Sequence, residues 1–342
     1  MNPYTDWQDE QVVVSLMLTD KCNFECAHCF YNCGPKSGDK YMTHETLEDT
    51  RIFIQELLDN DVRVSVNFIG GEPTLNLNEF ERCLNSLGHL LDNDYCEFQM
   101  TTNGWWLKND VATKKFFNIV KPYIDAEYPE ESLVIRISQD KFHDEFRPEW
   151  LTGKKLANHL ASIWEHQSLF YKETWCCGNC HEQGEGYEDT CPKCESDDIA
   201  IDTETLSCFI PEPDCNHPWI YVEQSYTFSS PDTYVVPQGR GINIGGNDKG
   251  KGQGYCTRSG MLTFRANGAL SDICCSGSDC PMGTVKDNPS VLLQMAKRFG
   301  EETKPNCFDC QSQWANWMNE NPNLKSELQE KLNETIEMLE CA

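Results

Sequence analysis

Apolar residues recur along the first half of the chain in two alternating rhythms. Short runs at 12–18, 62–69, 96–102 and 133–138, the first of them β-branched, predict strands, each leading into a polar or glycine-containing turn. Between them the spacing lengthens to the helical period. Thr43 opens a helix with the capping pattern Thr43-His44-Glu45-Thr46 and the apolar residues Leu47, Ile52, Ile54, Leu57 and Leu58, and 78–91 reads as a second helix. Another helix precedes 133–138, a further one is predicted over 148–170, and strand-like residues resume at 219–228. Repeated strand–helix units imply parallel strands with right-handed crossovers, as an open sheet or a barrel. In such folds reactive groups collect at the carboxyl ends of the strands. The polar motifs fall there: Cys22 onward after the first strand, Gly70-Gly71-Glu72-Pro73 after the second, Thr101-Thr102-Asn103-Gly104 after the third and Ser138-Gln139-Asp140 after the fourth.

Composition narrows the possibilities. With 342 residues, 39% of them hydrophobic, the chain can build a large core with an appendage. Its 28 Lys and Arg against 55 Asp and Glu leave a formal charge of -27. That surface repels phosphate backbones, which disfavours nucleic acid and anionic membranes and leaves room for a basic partner. No apolar run is long enough to span a bilayer, and the first residues lack the basic and apolar regions of a signal peptide. A cytoplasmic location is therefore expected. Twenty cysteines in a reducing compartment point to metal ligands rather than disulfides.

Three groups of cysteines have ligand spacing. Cys22, Cys26 and Cys29 form CxxxCxxC in the loop after the first strand. Three thiolates on one short loop can hold three corners of a [4Fe–4S] cluster and leave one iron open to a small molecule. The competing reading is a zinc knuckle closed by His28 or Cys33. Cys177, Cys180, Cys191 and Cys194 form CxxC-x10-CxxC around a polar, glycine-rich segment with no helix or strand period. This predicts a structural zinc ribbon inserted over 175–214, with rubredoxin-type iron as the alternative. The third group is Cys256, Cys274, Cys307 and Cys310, with a hairpin over 261–270 turning at Asn267-Gly268. Cys275 and Cys280 leave its register ambiguous, and zinc competes with iron–sulfur there too.

The order CxxxCxxC, then Gly70-Gly71-Glu72-Pro73, then Asn103-Gly104 and Ser138 at successive strand ends resembles the radical SAM enzyme family. The resemblance implies a partial (β/α)6 TIM-like barrel that holds a [4Fe–4S] cluster on Cys22, Cys26 and Cys29 and binds S-adenosylmethionine (SAM). Gly70, Gly71, Glu72 and Pro73 are then expected at the SAM amino group, met by a carbonyl or by the Glu72 carboxylate. Asn103 and Ser138 complete the cofactor site, Ser138 toward the ribose, and His28 takes the place where the family often stacks an aromatic residue on adenine. The activity implied is reductive cleavage of SAM to a 5′-deoxyadenosyl radical that abstracts a substrate hydrogen. Arg240, in Pro237-Gln238-Gly239-Arg240-Gly241, is a candidate for the methionine or a substrate carboxylate, with a surface turn as its other reading. His143 and Asp144 are candidates facing substrate, unless they only cap the following helix. The third cysteine group resembles the twitch domain, a truncated SPASM domain, which implies an auxiliary [4Fe–4S] cluster.

The expected layout is a barrel over 1–174 and 215–250, a zinc ribbon over 175–214, a small α+β auxiliary-cluster domain over 251–315 and a C-terminal helix over 316–342. That helix has apolar spacing at Leu328, Leu332, Ile336 and Leu339. The resemblance does not reach the substrate; a peptide or protein is expected, since the acidic surface could receive a basic leader and the ribbon could help dock it, with a small metabolite as the alternative, and the resemblance implies a flavodoxin- or ferredoxin-type electron donor. A reading from another class is an iron–sulfur or zinc sensor without SAM chemistry, which would have no use for the Gly70–Pro73 motif beside an open three-cysteine loop.

Overall fold

Parallel pairing organises the strands that the apolar runs predict. A computed structural model describes residues 3–8, 10–27, 29, 31–123, 133–139, 143, 145–149, 167–177, 183–185, 199–209, 220–224, 261–271, 283–303 and 310–340. Strands β1 (Gln11–Met17), β2 (Arg63–Ile69), β3 (Cys96–Thr102) and β4 (Leu133–Gln139) lie side by side in register, Val14 beside Val66, Val66 beside Phe98 and Phe98 beside Leu133. One face of each strand is fully buried: Val12, Val14 and Leu16, then Val64, Val66 and Phe68, then Phe98 and Met100, then Ile135 and Ile137. The crossover helices α1 (His44–Leu58), α2 (Leu77–Leu87) and α3 (Asp110–Val120) belong to the same core. Each begins on a side-chain cap. Thr43, Asn76 and Asn109 accept from the amides of Thr46, Asn78 and Ala112, satisfying donors that a helix start leaves open. Phe68 of β2 meets Phe80 of α2 and Phe98 of β3 edge-on at 6.2 and 5.2 Å, and Trp106 stacks on Phe116 at 3.9 Å. Each aromatic ring removed from water contributes about 1.5–3 kcal/mol, which makes this layer the main source of stability.

Alternation sends the other set of side chains to the opposite face. There the strands carry Ser15, Ser65, Asn67, Glu97, Gln99, Thr101, Arg136 and Ser138, so one surface of a largely buried sheet is polar.

The next strands are β5 (Gln167–Cys177), β6 (Gln183–Glu185), β7 (Ile199–Phe209) and β8 (Ile220–Gln224). β8 adds to β4 in parallel, while β7, β5 and β6 extend the edge in antiparallel pairs. Two expectations are corrected here. The helix expected over 148–170 does not reach its end, because residues 167–170 already pair with β7. The segment between the CxxC pairs, read as having no strand, forms β6 against 174–176 of β5. A three-residue strand held by backbone pairing leaves no side-chain period to read.

β9 (Met261–Phe264) and β10 (Ala269–Ser271) form the expected hairpin, and β11 (Gly283–Thr284) pairs with β10. Gly268 takes φ +78° at the turn, where the Arg265 amide donates to the Ala269 carbonyl at 2.9 Å. β9 pairs in parallel with β1, so six parallel strands run in the order β9-β1-β2-β3-β4-β8. Phe264 packs edge-on against Phe53 of α1 at 5.1 Å, which gives the hairpin and the strand–helix layers a common core. Helices α4 (Pro289–Thr303), α5 (Cys310–Glu320) and α6 (Leu324–Glu340) follow. α4 packs on α1 and α6, and Phe299, Trp314 and Trp317 form an aromatic knot with ring centroids 4.9–5.6 Å apart. The expected C-terminal helix is α6, with Leu328 and Leu332 buried and Ile336 exposed. Among the described residues no helix is long and apolar enough to cross a membrane.

Candidate functional site

The loop after β1 and the loop after β2 touch backbone to backbone. The Gly71 amide donates to the Thr19 carbonyl at 2.7 Å and the Glu72 amide to the Lys21 carbonyl at 2.9 Å. A Cβ on Gly71 would stand 2.1 Å from the Lys21 oxygen, and one on Gly70, which has φ +136°, would stand 2.5 Å from the Thr19 oxygen. Only glycine permits that approach. The two glycines therefore fix where the chain enters the cysteine loop, a role beyond the ligand contact expected of them.

The cysteine loop is closed on itself. The Cys22 amide donates to the Gly34 carbonyl at 3.2 Å, and isolated bridges join Thr19 to Tyr41 and Lys21 to Gly34. Cys22, Cys26, Cys29 and Cys33 line one cavity of about 340 Å³ with Gly70, Gly71, Asn67, Ser138 and His143 around it. Three of the thiols are buried, Cys29 less so. Burial, and then the nearby Glu72, pushes the Cys22 thiol up to about 12, while the Phe24 amide donates to its sulfur at 3.3 Å. A hydrogen bond with Cys29, together with burial, raises Cys33 as well. Among the described residues no three Cys, His, Asp or Glu side chains are gathered to hold one metal ion.

Glu72 is fully buried, and its carboxylate is committed to its own chain. Oε1 accepts from the Thr74 amide at 3.0 Å, the Thr74 hydroxyl and the Thr102 hydroxyl at 2.7 Å, and Oε2 accepts from the Asn103 amide at 2.7 Å. Burial holds its carboxyl above the usual carboxylate range against those donors. Pro73 is buried beside it.

Asn103 joins these parts. Its Oδ1 accepts from the Trp105 amide at 3.0 Å, which orients Nδ2 toward Asn23 Oδ1 at 3.0 Å and Cys22 Sγ at 3.6 Å. Arg147, buried, donates to the Asn103 carbonyl at 3.2 and 2.6 Å and also to the Ser138 carbonyl. The segment that carries His143 thus clamps the ends of β3 and β4. Its Phe146 stacks on Phe24 of the cysteine loop at 5.5 Å, and His143 lies 6.3 Å from the same ring.

Cys22, Cys26, Cys29, Gly70, Gly71, Glu72, Asn103, Ser138 and His143 therefore meet at one cavity. His28, Asp144, Arg240, Cys180, Cys191, Cys194, Cys256, Cys274 and Cys307 lie outside the described residues, as do the side chains of Cys177 and Cys310. Sequence reasoning missed Thr74 and Thr102 as the cradle of Glu72, and Asn67, whose buried Oδ1 lines the cavity with no hydrogen-bond partner. It also missed Arg147, whose guanidinium holds the Asn103 and Ser138 carbonyls. A polar residue at every second position of a buried strand was the available signal for Asn67.

Residues 16–147 match the model of the Radical SAM superfamily. The chain is 30% identical over 129 residues to the radical SAM cyclopropyl synthase TigE of Paramaledivibacter caminithermalis, covering 33% of this chain and 26% of that protein. It is 27% identical over 148 residues to the GTP 3′,8-cyclase of Pasteurella multocida, covering 43% and 42%. The chain thus spans between about a quarter and two fifths of the length of these curated relatives. Among solved structures, Streptococcus suis SuiB bound to precursor peptide SuiA aligns at 16% identity and TM-score 0.31, covering 45% of this chain and 30% of that one. The anSMEcpe structure with bound AdoMet aligns at 22% identity and TM-score 0.31, covering 44% and 38%.

Proposed function

We propose, from the premise that this chain belongs to the Radical SAM superfamily through residues 16–147, that it holds a [4Fe–4S] cluster on Cys22, Cys26 and Cys29 and binds SAM beside it. The observation that carries this reading is the single cavity shared by the three thiols and the Gly70-Gly71 backbone. Together the bound groups supply one-electron cleavage of a sulfur–carbon bond and a 5′-deoxyadenosyl radical that abstracts hydrogen. The rest falls to the chain. The glycine-loop carbonyls receive the amino group of SAM, and Ser138 faces the ribose. Phe24 and His143 line the cavity, and Phe146 stacks on Phe24 outside it. Asn67 offers a buried acceptor to a ligand hydroxyl or ammonium.

The substrate we propose is a peptide or protein, favoured by the net charge of -27, which suits a basic leader segment. A small polar metabolite is the second reading. It is supported by the polar face of the sheet, where Gln99 bonds Glu97 at 2.9 Å beside Asn67 and Arg136. An auxiliary cluster on Cys256, Cys274, Cys307 and Cys310, zinc on Cys177, Cys180, Cys191 and Cys194, and a flavodoxin- or ferredoxin-type donor complete the proposal.

The test is turnover by anaerobically reconstituted protein with SAM and reductant, supplied with basic peptides or with nucleotides and sugars. A peptide of altered mass, with 5′-deoxyadenosine formed in step, is the expected result. Modification of a small molecule alone would overturn the peptide reading.

A further inference from the structure

Two donors reach the sulfur of Cys22. The Phe24 amide donates to it at 3.3 Å, as a local turn would, but the Asn103 side chain arrives from β3, far along the chain, at 3.6 Å. Asn103 is held on every side. Its own amide is taken by Glu72, its carbonyl by Arg147 and its Oδ1 by the Trp105 amide. The last contact decides the orientation, since a backbone N–H can only donate, so Oδ1 must face it and the NH₂ must face the sulfur. Nδ2 has a second acceptor in Asn23 Oδ1 at 3.0 Å, and Asn23 is exposed within the cysteine loop.

We infer that Asn103 is a positioning residue that acts through Cys22: its side-chain NH₂, held by Glu72, Trp105 and Arg147 with one N–H toward Cys22 and the other toward Asn23, sets the reduction potential of the cluster that Cys22 holds. The inference rests on the radical SAM reading. A hydrogen bond to a cluster thiolate draws charge from the sulfur and stabilises the reduced state, which carries one more negative charge, so it raises the potential. The two N–H groups serve separate acceptors, so the effect is expected to follow loss of Asn103 and not loss of Asn23.

The experiment is an EPR-monitored redox titration, without SAM, of the reconstituted full chain. The variants are Asn103→Asp, Asn103→Ala and Asn23→Ala, with iron content measured on each. Loss of the donor in Asn103→Ala is expected to move the midpoint to more negative potential. Asn103→Asp, which also adds a charge, is expected to move it further. Asn23→Ala removes the acceptor of the other N–H and leaves the one to Cys22 in place, so its midpoint is expected to stay near wild type. Asn103→Asp keeps the contact with the Trp105 amide and stays informative if Asn103→Ala does not fold. A midpoint equal to wild type in the Asn103 variants, or a shift in Asn23→Ala as large as theirs, would overturn the inference. So would an unchanged midpoint with weakened SAM binding in Asn103→Ala, which would make Asn103 a direct SAM contact. Failure of the wild-type chain to assemble any [4Fe–4S] cluster would instead overturn the radical SAM reading on which the inference depends.

Discussion

Glu72 is the residue whose surroundings depart furthest from its motif's promise. The motif suggests a carboxylate reaching for a ligand, whereas the fold surrounds it with two backbone amides and two threonine hydroxyls. Glu72→Gln keeps the shape but turns an NH₂ toward one of those donors, so it is expected to cost about 1–3 kcal/mol in urea denaturation of the metal-free protein. The pH dependence has a definite sign. A carboxyl raised in the folded state binds its proton more tightly there than in the unfolded chain. Its contribution is therefore complete below the usual glutamate range and is lost as pH rises through the raised value. The stability gap between wild type and Glu72→Gln should narrow from about pH 4 upward, and a gap that widens would contradict the burial argument. Cys33 makes the complementary case. It shares the cavity with the three motif cysteines, yet it lies outside CxxxCxxC. Cys33→Ser is expected to keep the iron of the reconstituted protein, whereas Cys22→Ser loses most of it; equal losses would give Cys33 a ligand's role.

At the scale of elements, the parallel strands and the crossover helices were legible because burial on one face leaves an apolar rhythm that anyone can count. α2 shows the limit of such counting: the run expected over 78–91 ends as a helix at Leu87 and continues as a tighter 3₁₀ turn over Gly88–Asp92. β5, β6 and β7 were not read from the sequence, and it is the backbone pairing of Gln167–Cys177 with Gln183–Glu185 and Ile199–Phe209 that reveals them. The site divides in the same way. The cysteine and glycine motifs could be read because their members are adjacent in sequence. The links from Glu72 to Thr102 and from Cys22 to Asn103 span 30 and 81 residues, and only the parallel register brings them together. The hairpin offers a direct check on packing. Phe264 of β9 sits against Phe53 of α1, so Phe264→Ala is expected to cost about 3–5 kcal/mol and to shift the tryptophan fluorescence and far-UV circular dichroism midpoints together. A hairpin that melts alone, leaving the main transition in place, would show it to be an independent unit.

For the whole molecule, the six parallel strands place every described motif at one end of the sheet, with an apolar face toward the helices and a polar face opposite. That arrangement explains why three cysteines, two glycines and a buried asparagine from three different loops face the same space. It also assigns the acidity a modest part. A charge of -27 would favour a basic partner over an acidic one and does nothing to build the site. The central claim is that this cavity cleaves SAM by one-electron chemistry, and one measurement tests it most directly: 5′-deoxyadenosine formed from SAM by anaerobically reconstituted, dithionite-reduced protein, against the triple variant Cys22→Ala, Cys26→Ala and Cys29→Ala. The account predicts 5′-deoxyadenosine from the wild type and none above background from the triple variant. A wild-type chain that carries an intact cluster yet yields no 5′-deoxyadenosine, or a triple variant that yields as much, would contradict it.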